Sequence, residues 1–185
     1  MRLIVAITGA SGAIYGIKIL EELRSKDVET HLIISQWGKA IIEQETNYSV
    51  EQVKSIADFC YEENDMGAII SSGSFESAGM IIAPCSMKTL AAVASGYAAD
   101  LVTRASDVMI KEKRKLVMMV RETPFNAIHL ENMLKLAQLG VVIMPPLPAF
   151  YTKPKSIDDI VKDTIRKALG YFGVQFADIR KWEGL

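Results

Sequence analysis

Residues 2–13 read RLIVAITGASGA: an apolar, β-branched run that ends in two glycines bracketing Ala10 and Ser11. A run of this length bounded by Gly9 predicts a strand buried on both faces, the kind found in the middle of a parallel sheet. Ile14, Ile17, Leu20 and Leu23 follow at helical spacing, so the glycine loop joins that strand to an amphipathic helix. Gly9 and Gly12 allow a tight turn and close backbone approach, which leaves amides and the Ser11 hydroxyl facing an anion or a ring edge. A tight turn with no ligand is the other reading of the same residues.

The same alternation continues outward. Residues 29–35 (ETHLIIS) predict a second strand and residues 37–45 a helix. Ser49 and Gln52 stand in capping-box relation at the start of another short helix. Residues 60–79, rich in Ser, Gly, Asn and Asp, predict a long loop. Residues 80–83 (MIIA) predict a third strand that stops at Pro84, and residues 86–95 and 101–113 predict helices. Residues 116–120 (LVMMV) predict a fourth strand. Thr123-Pro124 then predicts a helix start, with Thr123 as N-cap and Pro124 at the first helical position. Residues 141–144 predict a fifth strand, residues 156–172 a last helix and residues 173–185 a tail.

Strands alternating with helices predict an α/β, doubly wound, mostly parallel sheet with right-handed crossovers, in a single domain. Ligands in such sheets bind beyond the carboxyl ends of the strands. Those ends are residues 9–12, 35, 84–89, 121–123 and 145–151.

Composition narrows the function. Half of the 185 residues are apolar, as in a soluble globular enzyme, and the net charge of −1 gives no long-range attraction to nucleic acid. Any anion site is therefore a local cluster of basic groups. Cys60 and Cys85 stand in no metal-ligand pattern, which fits a reducing, cytoplasmic setting. With only His31 and His129, a multi-histidine metal site is excluded. The first apolar run is too short for a signal peptide, and no stretch approaches the ~20 apolar residues of a membrane span.

The spacing of Gly9, Gly12 and Gly16 is not the dinucleotide fingerprint, and strand two ends in Ser35-Gln36 rather than an acid. Both points favour a mononucleotide over NAD. Ser86 and Thr89 fall at a helix N-terminus, where they either hold a phosphate or simply cap the helix. Cys85, at a strand end with no histidine near it in sequence, reads as packing. Arg104 and Lys111, seven residues apart, share one helix face, either solvated or part of a site. Arg121-Glu122 places a charge pair at the end of a buried strand, and Glu122 flanked by cations has the character of a proton shuttle. His129 reads as packed on an amphipathic helix, and Met118, Met119 and Met133 as core filling.

Five segments in register then decide the matter: residues 8–13 (TGASGA), 83–90 (APCSMKTL), 121–125 (RETPF), 128–136 (IHLENMLKL) and 145–151 (PPLPAFY). Together they resemble the UbiX and phenylacrylic-acid-decarboxylase-type flavin prenyltransferases over nearly the whole chain. The resemblance implies a flavodoxin-like fold, a homo-oligomer of twelve subunits with sites at their interfaces, and a UbiD-type decarboxylase as recipient of the product, prenylated FMN. It implies that FMN is held by Gly9, Ala10, Ser11, Ser35, Ser86, Met87, Lys88, Thr89, Arg104 and Arg121. Dimethylallyl phosphate would be gripped by Lys111, Arg121, Tyr151 and Lys167, with Trp182 matching an aromatic in the tail. Ser11, Glu45 and Glu122 match positions tied to proton handling. Where many relatives carry Arg, this chain has Lys167, a point charge without a bidentate fork.

The chemistry implied needs cations and a phenol around a departing phosphate, acid–base groups for ring closure, and no metal. A cysteine decarboxylase of similar fold is disfavoured by its need for an essential histidine. A short-chain dehydrogenase is excluded because Pro154 interrupts the Tyr151–Lys155 pair it would need on one helix. A non-catalytic FMN carrier would leave Lys111, Tyr151 and Lys167 without a task.

Overall fold

The opening apolar run forms strand β1 (Arg2–Ile7), and from Leu3 onward it is fully buried, as a strand covered on both faces must be. The computed structural model describes residues 1–176. Helix α1 (Ala13–Arg24) is followed by β2 (Glu29–Ile34), α2 (Gln36–Glu45), α3 (Val50–Lys54) and β3 (Phe59–Glu62). The second half runs β4 (Gly79–Cys85), α4 (Met87–Ser95), α5 (Leu101–Lys111), β5 (Lys115–Val120), α6 (Ala127–Gln138), β6 (Val142–Ile143) and α7 (Ile157–Gly170). Short 3₁₀ turns lie at Ile69–Ser71 and Phe150–Thr152.

All strand pairings are parallel, and the order is β3-β2-β1-β4-β5-β6. The order reverses between β1 and β4, which opens a crevice at the strands' carboxyl ends. Without the short edge strand β3, the other five run in the flavodoxin-like order. Alternate residues of β1 feed two cores: Leu3, Val5 and Ile7 pack with α1 and α7, while Ile4 and Ala6 pack with α4 and α5.

Four expectations are corrected. Part of the expected 60–79 loop is the end of β3. Its side chains are mostly exposed and carry no apolar alternation to read. Its pairing comes from outside the strand, where the Asp58 carboxylate accepts from the Thr30 amide (2.7 Å) and hydroxyl (2.9 Å). His31 adds to this by stacking on Phe59 and bonding the Tyr61 hydroxyl at 2.9 Å. Next, β4 does not stop at Pro84 but continues to Cys85 across a register break after Ile82. Proline lacks a donor, and the irregular ladder accommodates that. Finally, α6 begins at Ala127, not at Pro124, because Asn126 and His129 form a reciprocal capping box there. His129 is thus a partly exposed capping residue, not the packed one expected.

Candidate functional site

Thr8, the first residue after β1, stitches the site together. Its buried hydroxyl donates to the Pro84 carbonyl (2.8 Å) and accepts from the Ser86 amide (2.9 Å). The glycine loop and the β4–α4 loop are thereby held side by side across the switch point. Behind the glycine loop, the Glu45 carboxylate accepts from the Gly12 amide at 2.7 Å. Gly12 sits at φ 104, a left-handed conformation that glycine adopts without strain.

Around this frame lies a cleft of about 500 Å³ lined by residues 9–11, 35–37, 63, 86–89, 121 and 122. Of the first three amides of α4, Thr89 donates to the Ser86 hydroxyl at 3.3 Å. Those of Met87 and Lys88 have no acceptor among the described residues. Two free amides at the positive end of a helix make an anion site. Ser35 caps α2 in the same way, accepting from Gly38 at 3.0 Å.

Arg121 is anchored by its amide to the Cys85 carbonyl (3.1 Å), and its guanidinium pairs with no carboxylate among the described residues. Glu122 turns one oxygen, Oε1, to the Thr123 amide at 2.9 Å, leaving Oε2 for other work. Cys85 lies fully buried, and that burial pushes its thiol far above the ordinary range, so it is no thiolate nucleophile. The arrangement can hold a phosphorylated, ring-bearing ligand, with Arg121 and Glu122 together at one wall. No cluster able to hold a metal ion occurs among the described residues.

The fold therefore brings together Gly9, Ala10, Ser11, Ser35, Ser86, Met87, Lys88, Thr89, Arg121 and Glu122. Four other named residues lie elsewhere on the protomer. Arg104 donates to the Ser71 carbonyl (3.0 Å) and pairs with Asp107 (2.8 Å). Lys111 pairs with Glu112 at the far end of α5. Tyr151 sits in the 3₁₀ turn before α7, and Lys167 is exposed in the last turn of α7. Trp182 lies outside the described residues. Two lining residues had no role in the sequence reading. The sequence marks Trp37 only as the start of a helix. Glu63 was lost with β3, and its one sequence signal is its place directly after the FCYE segment.

The family model described as Flavoprotein matches residues 1–169. A probable UbiX-like flavin prenyltransferase of Bacillus subtilis is 47% identical over all of this chain and 91% of its own length. The chain belongs to the UbiX-like flavin prenyltransferases. Among solved relatives, a dodecameric FMN-dependent UbiX-like decarboxylase from Escherichia coli O157:H7 superposes with a TM-score of 0.97 at 51% identity, covering both chains fully. AnUbiX (PadA1), crystallised with FMN and dimethylallyl pyrophosphate, gives 0.97 at 49% identity over 100% of this chain and 98% of its own. The family match over residues 1–169 spans every residue that lines the cleft.

Proposed function

We propose that this flavin prenyltransferase transfers a dimethylallyl group from dimethylallyl phosphate to N5 and C6 of reduced FMN. One observation carries the reading. Two free α4 amides, an unpaired guanidinium and a carboxylate with one free oxygen converge on a single cleft at the switch point. Gly9, Ala10, Ser11, Ser35, Ser86, Met87, Lys88, Thr89 and Arg121 would hold FMN, which supplies the nucleophilic N5 and C6 when reduced.

The chain's own residues then have defined work. Arg121 stabilises negative charge on the departing phosphate with a guanidinium that no carboxylate of the described residues competes for. Glu122 moves a proton through Oε2 while Oε1 keeps it aimed. Glu45 acts through its hold on the Gly12 amide, which fixes the position of Ser11. Lys111, Tyr151, Lys167 and Arg104 do not line the cleft of their own protomer. If Lys111, Tyr151 and Lys167 grip the donor and Arg104 holds FMN, a neighbouring subunit presents them. That supports a homo-oligomer, a dodecamer like the one its E. coli relative forms. The product, prenylated FMN, would pass to a UbiD-type decarboxylase in the cytoplasm. Among the described residues, no helix is long and apolar enough to cross a membrane.

The test is anaerobic incubation with reduced FMN and dimethylallyl phosphate, followed by mass spectrometry of the released flavin. A gain of one five-carbon unit is expected, lost in Glu122→Gln with flavin binding retained. Unmodified flavin from wild-type protein that binds FMN, with the mono- and the diphosphate donor alike, overturns the transferase reading in favour of a carrier.

A further inference from the structure

The sheet order is that of dinucleotide-binding proteins, in which a ligand runs across both halves of the switch-point crevice. The two halves of this cleft differ in character. On the β4–β5 side stand the two free α4 amides, Lys88 and Arg121. On the β2–β3 side, the Glu63 carboxylate accepts from the Gln36 amide at 2.7 Å, and the Ser35 hydroxyl accepts from Gly38. That leaves only the Trp37 amide in the first turn of α2, between two occupied neighbours.

Glu63 is held firmly. Its carbonyl accepts from Leu101 at 2.8 Å, which ties it to the start of α5. Its side chain is only 23% exposed. Its charge is poorly offset, since the nearest cation, Lys88, lies 3.8 Å away and is shared with Asp100 at 3.4 Å. Lys39, the other cation on this side, is already paired with Glu62 at 2.7 Å. Beside Glu63 the Trp37 side chain is 72% exposed, with its Cβ against Gly9.

We infer that Glu63 and Trp37 are specificity-determining residues that restrict the cleft to a flavin mononucleotide. A carboxylate whose one ion pair is long and shared, and an exposed indole, line the half where the second phosphate and the adenosine of a flavin dinucleotide would run. Like charge repels the second phosphate, and steric bulk closes the path beyond it. This rests on the flavin reading above.

The experiment compares FMN and FAD binding to the full-length protein by fluorescence quenching, for wild type, Glu63→Gln, Trp37→Ala and the double variant. Gln at 63 keeps an oxygen for the Gln36 amide and removes only the charge. Wild type is expected to prefer FMN by at least about tenfold, each single variant to narrow that ratio, and the double variant to narrow it most. The inference is overturned if wild type binds FAD as well as FMN, or if the ratio is unmoved in variants that bind FMN normally. Should the double variant not fold, Glu63→Gln alone decides. Wild type that binds neither flavin sinks the flavin reading instead, which keeps the two failures apart.

Discussion

At the scale of single residues, Gly9 is required by its neighbour and not by its dihedral angles. A Cβ there would collide with the Cβ of Trp37 and stand 3.4 Å from its Cα. Overpacking of this kind costs about 1–3 kcal/mol. Gly9→Ala is expected to lower the urea midpoint and to weaken FMN binding, because the collision pushes the α2 N-terminus off the glycine loop. Trp37→Gly should rescue it and Trp37→Ala should not, since alanine keeps the offending Cβ. Equal rescue by both would place the strain elsewhere. The glycine itself was legible in the sequence, as part of a tight loop after a buried strand. Its partner was not, because nothing in a linear string sets residue 37 against residue 9. Thr8 is a similar case: it ends a strand in sequence, but only the fold gives its hydroxyl both Pro84 and Ser86 as partners.

Among elements, β3 depends most on a few polar contacts. Bonds from the Thr30 amide, first of all, hold the Asp58 carboxyl below the usual carboxylate range. A carboxyl whose folded pKa is depressed adds stability that is fully present above its unfolded pKa and fades as pH falls through the folded one. Asp58→Asn, which resembles protonated Asp58, should therefore destabilise the protein near neutral pH. The charge-assisted share of the bonds sets that effect on the order of 1 kcal/mol. The gap between the two proteins in urea unfolding should close as pH falls below about 4. A gap that stays constant down to pH 3 would mean the carboxylate charge plays no part. Strands β1, β2, β4 and β5 were readable because burial on both faces demands continuous apolar runs. The start of α6 was misplaced because a proline after threonine imitates a helix N-terminus, whereas the Asn126–His129 box lies three residues further on.

At the scale of the whole molecule, α6 is the anomaly. Only Leu136 is buried on it, while Ile128, Leu130 and Leu134 are exposed. Phe125, Leu139, Leu147 and Phe150 are exposed on the neighbouring segments. A helix that leaves this much apolar surface uncovered is the kind that packs against another chain. Leu130→Glu/Leu134→Glu should leave the circular dichroism of the protomer intact, since neither side chain is packed inside it. The same variant should lower the mass seen by light scattering and abolish prenyl transfer. Unchanged mass would place the assembly contacts on another face. Loss of activity with loss of mass would fit a site that needs residues from a neighbour.

By itself the sequence determined the α/β alternation, the buried strands, the glycine loop, the α4 N-terminus and the Arg121-Glu122 pair. Each is a local pattern, written by burial periodicity or by turn and cap chemistry within a few residues. Only the tertiary structure decided which of those patterns meet. It added Glu63 through an edge strand whose support comes from Thr30, nearly thirty residues away. It also separated Lys111 from the cleft. Helix α5 starts beside Glu63 at the strands' carboxyl ends and runs about 16 Å back to their amino ends, near Lys115 and Gly79. A helix places its two ends on opposite sides of a sheet whatever the chemistry they carry, and spacing along the chain records nothing of that.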